Sequence, residues 1–148
     1  MLRHVFHFDN YTCISGATDS CCAYLALFLD RKEVFYKKLD SSEGLFDTVM
    51  TANLNNDGVP DFIIICNWED GSDLSALISK SKTSFTEKQF GDISEIYCTA
   101  TGDTIQHLQP LLIKDINNDG KDEIIVNLAK YNDLLIANSC TDTIYADR

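Results

Sequence analysis

One acidic loop occurs twice in this chain, and each copy runs straight into an apolar strand. "ANLNNDGVPDFIIIC" fills residues 52 to 66 and "KDINNDGKDEIIVNL" fills residues 114 to 128. A repeat of about sixty residues points to an architecture assembled from copies of one supersecondary unit, each unable to bury its apolar surface alone. Set in register, the likeness widens to "VMTANLNNDGVPDFIIIC" against "LLIKDINNDGKDEIIVNL". A polar turn follows each, "NWEDGSD" or "AKYND", and then "LSALISKSKTSFTEKQ" or "LLIANSCTDTIYADR". Each unit therefore reads as strand, acidic loop, strand, turn, strand, turn, strand.

Strands are favoured over helices throughout. "FIIIC" and "EIIVNL" are short and rich in β-branched residues, while "SFTEKQF" and "TIYADR" alternate. Upstream, "YLALFLDRKEVFYKKLD" repeats the strand, charged turn, strand form, and "HVFHFDNYTC" before it is a front half that has lost the loop. About two and a half units result: a partial unit over 1–46, a loop-bearing unit over 47–108 and a second over 109–148, all in one domain of 148 residues. A single sheet of this kind cannot hide both faces, so the units must pack face to face. The expected fold is all-β, with antiparallel four-stranded blade-like repeats packed as a small sandwich or an incomplete propeller.

Within each loop, side chains at alternate positions turn toward a common centre. Numbering from the first polar residue, positions 1, 3 and 5 are Asn53, Asn55 and Asp57 in loop 1, and Asp115, Asn117 and Asp119 in loop 2. Position 6 is Gly58 or Gly120, where a sharp turn needs positive φ. Position 7, Val59 or Lys121, offers a backbone carbonyl, and position 9, Asp61 or Glu123, returns a carboxylate. Six to eight oxygens of this type suit Ca²⁺. The EF-hand and the dockerin loop begin alike, but both need an acidic residue at position 12, which here is Ile64 or Val126. The competing reading is turn chemistry alone, with Asn, Asp and Gly chosen for left-handed backbone; two copies in register weigh against it.

The spacing of ligand types, glycine and strand over both full units, from about residue 47 onward, resembles the FG-GAP or VCBS repeat of integrin-type β-propellers. That resemblance implies calcium in the hairpin between the first two strands of a unit. Its ligands would be Asn53, Asn55, Asp57 and Asp61, then Asp115, Asn117, Asp119 and Glu123, with Val59 and Lys121 acting through carbonyls. Loop 1 departs from the family at position 1, where Asn53 replaces the usual Asp. A propeller closes with four to eight blades, more than this chain has, so a monomeric sandwich is preferred over assembly of several chains.

A net charge of −11 makes nucleic acid a poor partner and a basic protein a favourable one. The apolar run "CCAYLALFL" at 21 to 29 is too short to span a bilayer. Six cysteines, with no Cys-x-x-Cys pair, point to disulfides, Cys13 with Cys21 or Cys22 being the expected bridge. That places the chain outside the cytoplasm, periplasmic, lipoprotein-anchored or secreted, with its leader removed. His4, His7 and His107 do not assemble a zinc site, and no nucleophile or phosphate-loop motif is present. Trp68 among Glu69, Asp70 and Asp73 is either an interface anchor or an edge cover for the core. The function expected is non-catalytic: an extracytoplasmic calcium-binding β-domain acting in protein recognition. The alternative is a bacterial inhibitor or immunity protein that blocks a lysozyme-like cell-wall hydrolase.

Overall fold

The computed structural model describes residues 2–17, 22–39, 45–68, 71–92, 109–128, 133–137 and 144–147. Among the described residues, twelve strands form three four-stranded sheets, each an antiparallel meander in chain order. The N-terminal sheet contains β1 (Leu2–Phe8), β2 (Tyr11–Ala17), β3 (Ala23–Leu29) and β4 (Lys32–Leu39). The middle sheet contains β5 (Leu45–Ala52), β6 (Asp61–Trp68), β7 (Gly71–Ser81) and β8 (Ser84–Asp92). The C-terminal sheet contains β9 (Gln109–Lys114), β10 (Glu123–Leu128), β11 (Asp133–Ala137) and β12 (Ile144–Asp147). The all-β class and the four-stranded antiparallel units are those expected from the sequence. The sheets are open, each with two edge strands, and no strand closes a barrel among the described residues.

The middle sheet is covered on both faces, which explains the unbroken apolar run of β6. Successive strand side chains point to opposite faces. Phe62, Ile64 and Cys66 accordingly pack against Tyr11, Cys13, Leu25 and Leu27 of the N-terminal sheet. Ile63 and Ile65 turn the other way, into a cluster that includes Ile124 and the partly buried Ile113 of the C-terminal sheet. β2 needs only one apolar face, and its burial alternates through Tyr11, Cys13 and Ser15. Phe62 is the centre of an aromatic group, 5.2 Å from Tyr11, 5.7 Å from Phe85 and 5.8 Å from Phe8 between ring centroids. Polar ties cross the same seam: Tyr11 OH donates to the Lys82 carbonyl at 2.8 Å, Ser15 Oγ to the Phe46 carbonyl at 2.9 Å, and Lys37 pairs with Glu87.

The N-terminal sheet has all four strands but no acidic loop. Asp9 and Asn10 alone connect β1 to β2, pairing Phe8 with Tyr11, where the other two sheets insert 53–60 and 115–122. Asp30 and Arg31, both at positive φ, make the two-residue turn from β3 to β4, as a right-twisted hairpin prefers.

Of the two bridges expected from Cys13, the one to Cys22 does not fit the strand register, and Cys21 lies outside the described residues, as do Cys98 and Cys140; Cys13, Cys22 and Cys66 are buried. Cys13 pairs across the sheet with Leu27, whereas Cys22 precedes Ala23, the partner of Ala17. Five residues of strand span about 16 Å, well beyond the ~7 Å that a disulfide tolerates between Cα atoms. Burial instead pushes the Cys13 thiol up to about 12.

Candidate metal centre

The two loops fold alike, residue for residue. Position 4 is in the left-handed region in both, Asn56 at φ 59° and Asn118 at φ 61°, and so is position 6, Gly58 at φ 78° and Gly120 at φ 85°. Asparagine and glycine enter that region at the least steric cost. With the chain reversed twice in three residues, the position-3 and position-5 side chains fold back on the loop's own amides. Asn55 Oδ1 accepts from Asp57 N–H at 3.1 Å, and Asn117 Oδ1 from Asp119 N–H at 2.9 Å. Asp57 Oδ1 accepts from Val59 N–H at 2.8 Å, and Asp119 Oδ1 from Lys121 N–H at 2.9 Å.

Position 9 closes each loop from beneath. Asp61 is 0% exposed, and its Oδ2 accepts from Leu54 N–H at 2.6 Å while its Oδ1 accepts from Ser79 N–H at 2.7 Å. Glu123 is 3% exposed and its Oε2 accepts from Ile116 N–H at 3.0 Å. Both carboxylates are thereby tied to the position-2 amide, so that the loop is bolted to the first residue of the strand it enters. Charge-assisted bonds of this kind compensate the burial of a carboxylate that would otherwise be costly.

The position-3 amides sit where the loop oxygens converge. Asn55 Nδ2 donates to Ser79 O at 2.8 Å, with Asp57 Oδ2 at 3.0 Å and Ser79 Oγ at 3.2 Å. Asn117 Nδ2 faces Glu123 Oε1 at 3.2 Å and Asp119 Oδ2 at 3.4 Å. Ser79, 3% exposed on β7, also donates its hydroxyl to Asp57 Oδ2 at 2.8 Å and lies 3.5 Å from the Val59 carbonyl. The Val59 amide, with the Ser79 hydroxyl and the Asn55 amide, outweighs desolvation and holds the Asp57 carboxyl below the usual carboxylate range.

The other sequence candidates are placed as follows. Asp115 spans two amides, its Oδ1 accepting from Asp119 N–H at 3.2 Å and its Oδ2 from Gly120 N–H at 2.8 Å. Asn53 faces the other loop: its Nδ2 donates to the Gly120 carbonyl at 3.1 Å and its Oδ1 accepts from Asn56 N–H at 3.0 Å. An open cleft of about 360 Å³ lies at this junction, lined in part by Asn53, Gly58, Val59 and Asp122. His4 is exposed and stacks on Phe6, and exposed His7 meets Thr12 Oγ1 at 3.2 Å; His107 and the Trp68 side chain lie outside what is described.

Chemically, each loop offers carboxylate, amide and carbonyl oxygens to a hard cation. Among the described residues no three His, Cys, Asp or Glu side chains are gathered into a metal-holding group, because the carboxylates are directed at different amides of the loop. Sequence reasoning missed Ser79, whose place beside loop 1 is set by strand pairing alone. It also passed over Asn56 and Asn118, although asparagine at position 4 recurs in both copies and carries the signal for left-handed backbone. No family profile matches the chain, and neither a curated protein nor a solved structure matches it.

Proposed function

We propose that the chain is a non-catalytic calcium-binding β-domain of FG-GAP or VCBS type that acts in protein recognition outside the cytoplasm. The observation that carries this reading is the repeated oxygen focus: two loops from different sheets each direct oxygens at one position-3 amide nitrogen. Oxygens that close repel one another unless positive charge lies between them, and an amide donor meets that demand only in part. Bound calcium would supply a full charge at that focus, with Asp57, Asn55 and the Val59 carbonyl on loop 1 and Asp115, Asn117, Asp119 and the Lys121 carbonyl on loop 2 to hold it. Asp61 and Glu123 would add their unshared lone pairs while keeping the loop fastened. Weak sites with few charged ligands suit the high calcium levels found outside cells, which favours the extracytoplasmic placement.

Protein recognition is supported by the −11 net charge and by one face of the N-terminal sheet. There Val5, 44% exposed, and Tyr36, 50% exposed, share a cross-strand row with Ile14 and Ala26. A basic cell-wall hydrolase of the lysozyme type is the partner such a surface would suit, and binding to a panel of lysozymes tests it. Among the described residues no helix is long and apolar enough to cross a membrane.

A second reading is favoured by the same amides. Asn55 and Asn117, with the loop N–H groups, already satisfy many of the oxygens, which would make the loops metal-independent turns. Calorimetry and thermal melts with calcium, magnesium and chelator separate the two. Calcium heat and a raised melting temperature, with little response to magnesium, support the metal reading. No heat and no shift with calcium would return both loops to turns.

A further inference from the structure

Loop 1 and loop 2 are bonded to each other. Asn53 N–H donates to Asp122 Oδ2 at 2.7 Å, and Asp122 N–H donates to the Asn53 carbonyl at 2.7 Å. Beside this reciprocal pair, Asn53 Nδ2 donates to the Gly120 carbonyl at 3.1 Å. Gly120 is thus held from two sides, since its own N–H donates to Asp115 Oδ2 at 2.8 Å. Asn56 closes the contact: a Cβ added at Gly120 would lie 2.6 Å from Asn56 Nδ2.

We infer that the two loops form one coupled unit, in which Asn53 and Asp122 are positioning residues that link the cation affinity of each loop to that of the other. The inference rests on the calcium reading proposed above. A cation held by Asp115 and Asp119 fixes Gly120 through the Asp115 bond. The Gly120 carbonyl then fixes the Asn53 side chain, whose Oδ1 caps Asn56, the left-handed residue on which the curl of loop 1 depends. Ordering loop 2 therefore orders part of loop 1 in advance, and by linkage the converse holds to the same factor. Loop 1 has two acidic candidate ligands, Asp57 and Asp61, and Asp122 brings a third carboxylate from the other loop to its edge. Asn53 at position 1, where loop 2 has Asp115, is accounted for in this way: an aspartate there could not donate to Gly120.

The test follows the amide signals of Gly58 and Gly120 in ¹⁵N-labelled full-length chain during a calcium titration. Asp119→Ala disables a ligand of loop 2 on an exposed side chain and is expected to move the Gly58 midpoint to about fivefold higher calcium, the lower end of typical couplings. In an Asn53→Ala background, which keeps both backbone bonds to Asp122, the same change should move it by less than about twofold, as expected when the side-chain link from Gly120 through Asn53 to Asn56 has been cut. A Gly58 midpoint unaffected by Asp119→Ala overturns the coupling while leaving calcium binding in place. A full shift that persists with Asn53→Ala overturns the role of Asn53. No calcium response at either glycine of the unaltered chain overturns the calcium reading and this inference together.

Discussion

Loop 1 and loop 2 share a backbone and differ in what holds it. Loop 1 is fastened to its own sheet from below, by Asp61 with two backbone donors and by Ser79 reaching across from β7. Among the described residues, loop 2 has one backbone donor on Glu123, bonds within itself, and the bonds to loop 1; the stretch that would correspond to Ser79 lies outside them. Loop 2 also carries more negative charge among its candidate ligands, Asp115, Asp119 and Glu123, against Asp57 and Asp61 in loop 1. On the calcium reading proposed above, the more acidic loop 2 would gain more from a cation than loop 1, which Asp61 and Ser79 already fasten.

The largest effect should come from the fastening of loop 1. Asp61→Ala leaves the Leu54 and Ser79 amides buried without their acceptor and should cost about 3–5 kcal/mol of unfolding free energy. Glu123→Ala, which frees one backbone amide, should cost about 1–3 kcal/mol. Urea melts of both variants decide this, and equal losses would erase the distinction between the loops.

Calcium should reverse that order. With calcium about a hundredfold above its dissociation constant, binding adds roughly 2.7 kcal/mol. Asp119→Ala is expected to remove most of that gain and Asp57→Ala less of it, because ligand charge governs affinity in such loops. Melting temperatures with and without calcium measure both, and an equal loss from the two changes would refute the ranking.

A smaller contrast lies at the glycines. Gly58→Ala and Gly120→Ala both place a side chain in left-handed backbone, at about 1–2 kcal/mol each. Space around Gly58 is open, whereas at Gly120 the new methyl meets Asn56. Gly120→Ala should thus cost a few tenths of a kcal/mol more, and the excess should vanish in an Asn56→Ala background. Denaturant midpoints of the three single and two double variants resolve it.

The smallest effect is on acid stability. Asp57 is held below the usual carboxylate range by the Val59 amide, Ser79 and Asn55. A carboxylate with a lowered folded pKa contributes stability above its unfolded value of about 3.9 and loses it as pH falls through the folded one. Melts in chelator should therefore show Asp57→Asn flattening the acid limb below pH ~4 without changing stability's slope near neutrality; an unchanged acid limb would show that those bonds do not discriminate the charged form.

Much of the fold was legible in the chain. Alternation in "SFTEKQF", the β-branched runs and the sixty-residue repeat identify four-stranded antiparallel units, and "FIIIC", apolar at every position, belongs to a strand covered on both sides. The candidate site was legible in its loop residues but not in its supports. Ser79 reaches loop 1 by strand pairing, and Asn53 reaches Asp122 across 69 residues of sequence. That register separates Cys13 from Cys22 was hidden for the same reason, since closeness in sequence does not reveal it.

The sequence by itself determined what short-range sterics control: strands where β-branched residues alternate, left-handed turns at Asn56, Gly58, Asn118 and Gly120, and carboxylates spaced to fold back on the loop. Only the tertiary structure decided that Asn53 braces the neighbouring loop, that Asp61 lies wholly buried and that Ser79 completes loop 1. Those roles depend on which edges meet when the sheets stack, and stacking follows from burying apolar faces, a non-directional force that leaves no mark on the polar residues it brings together.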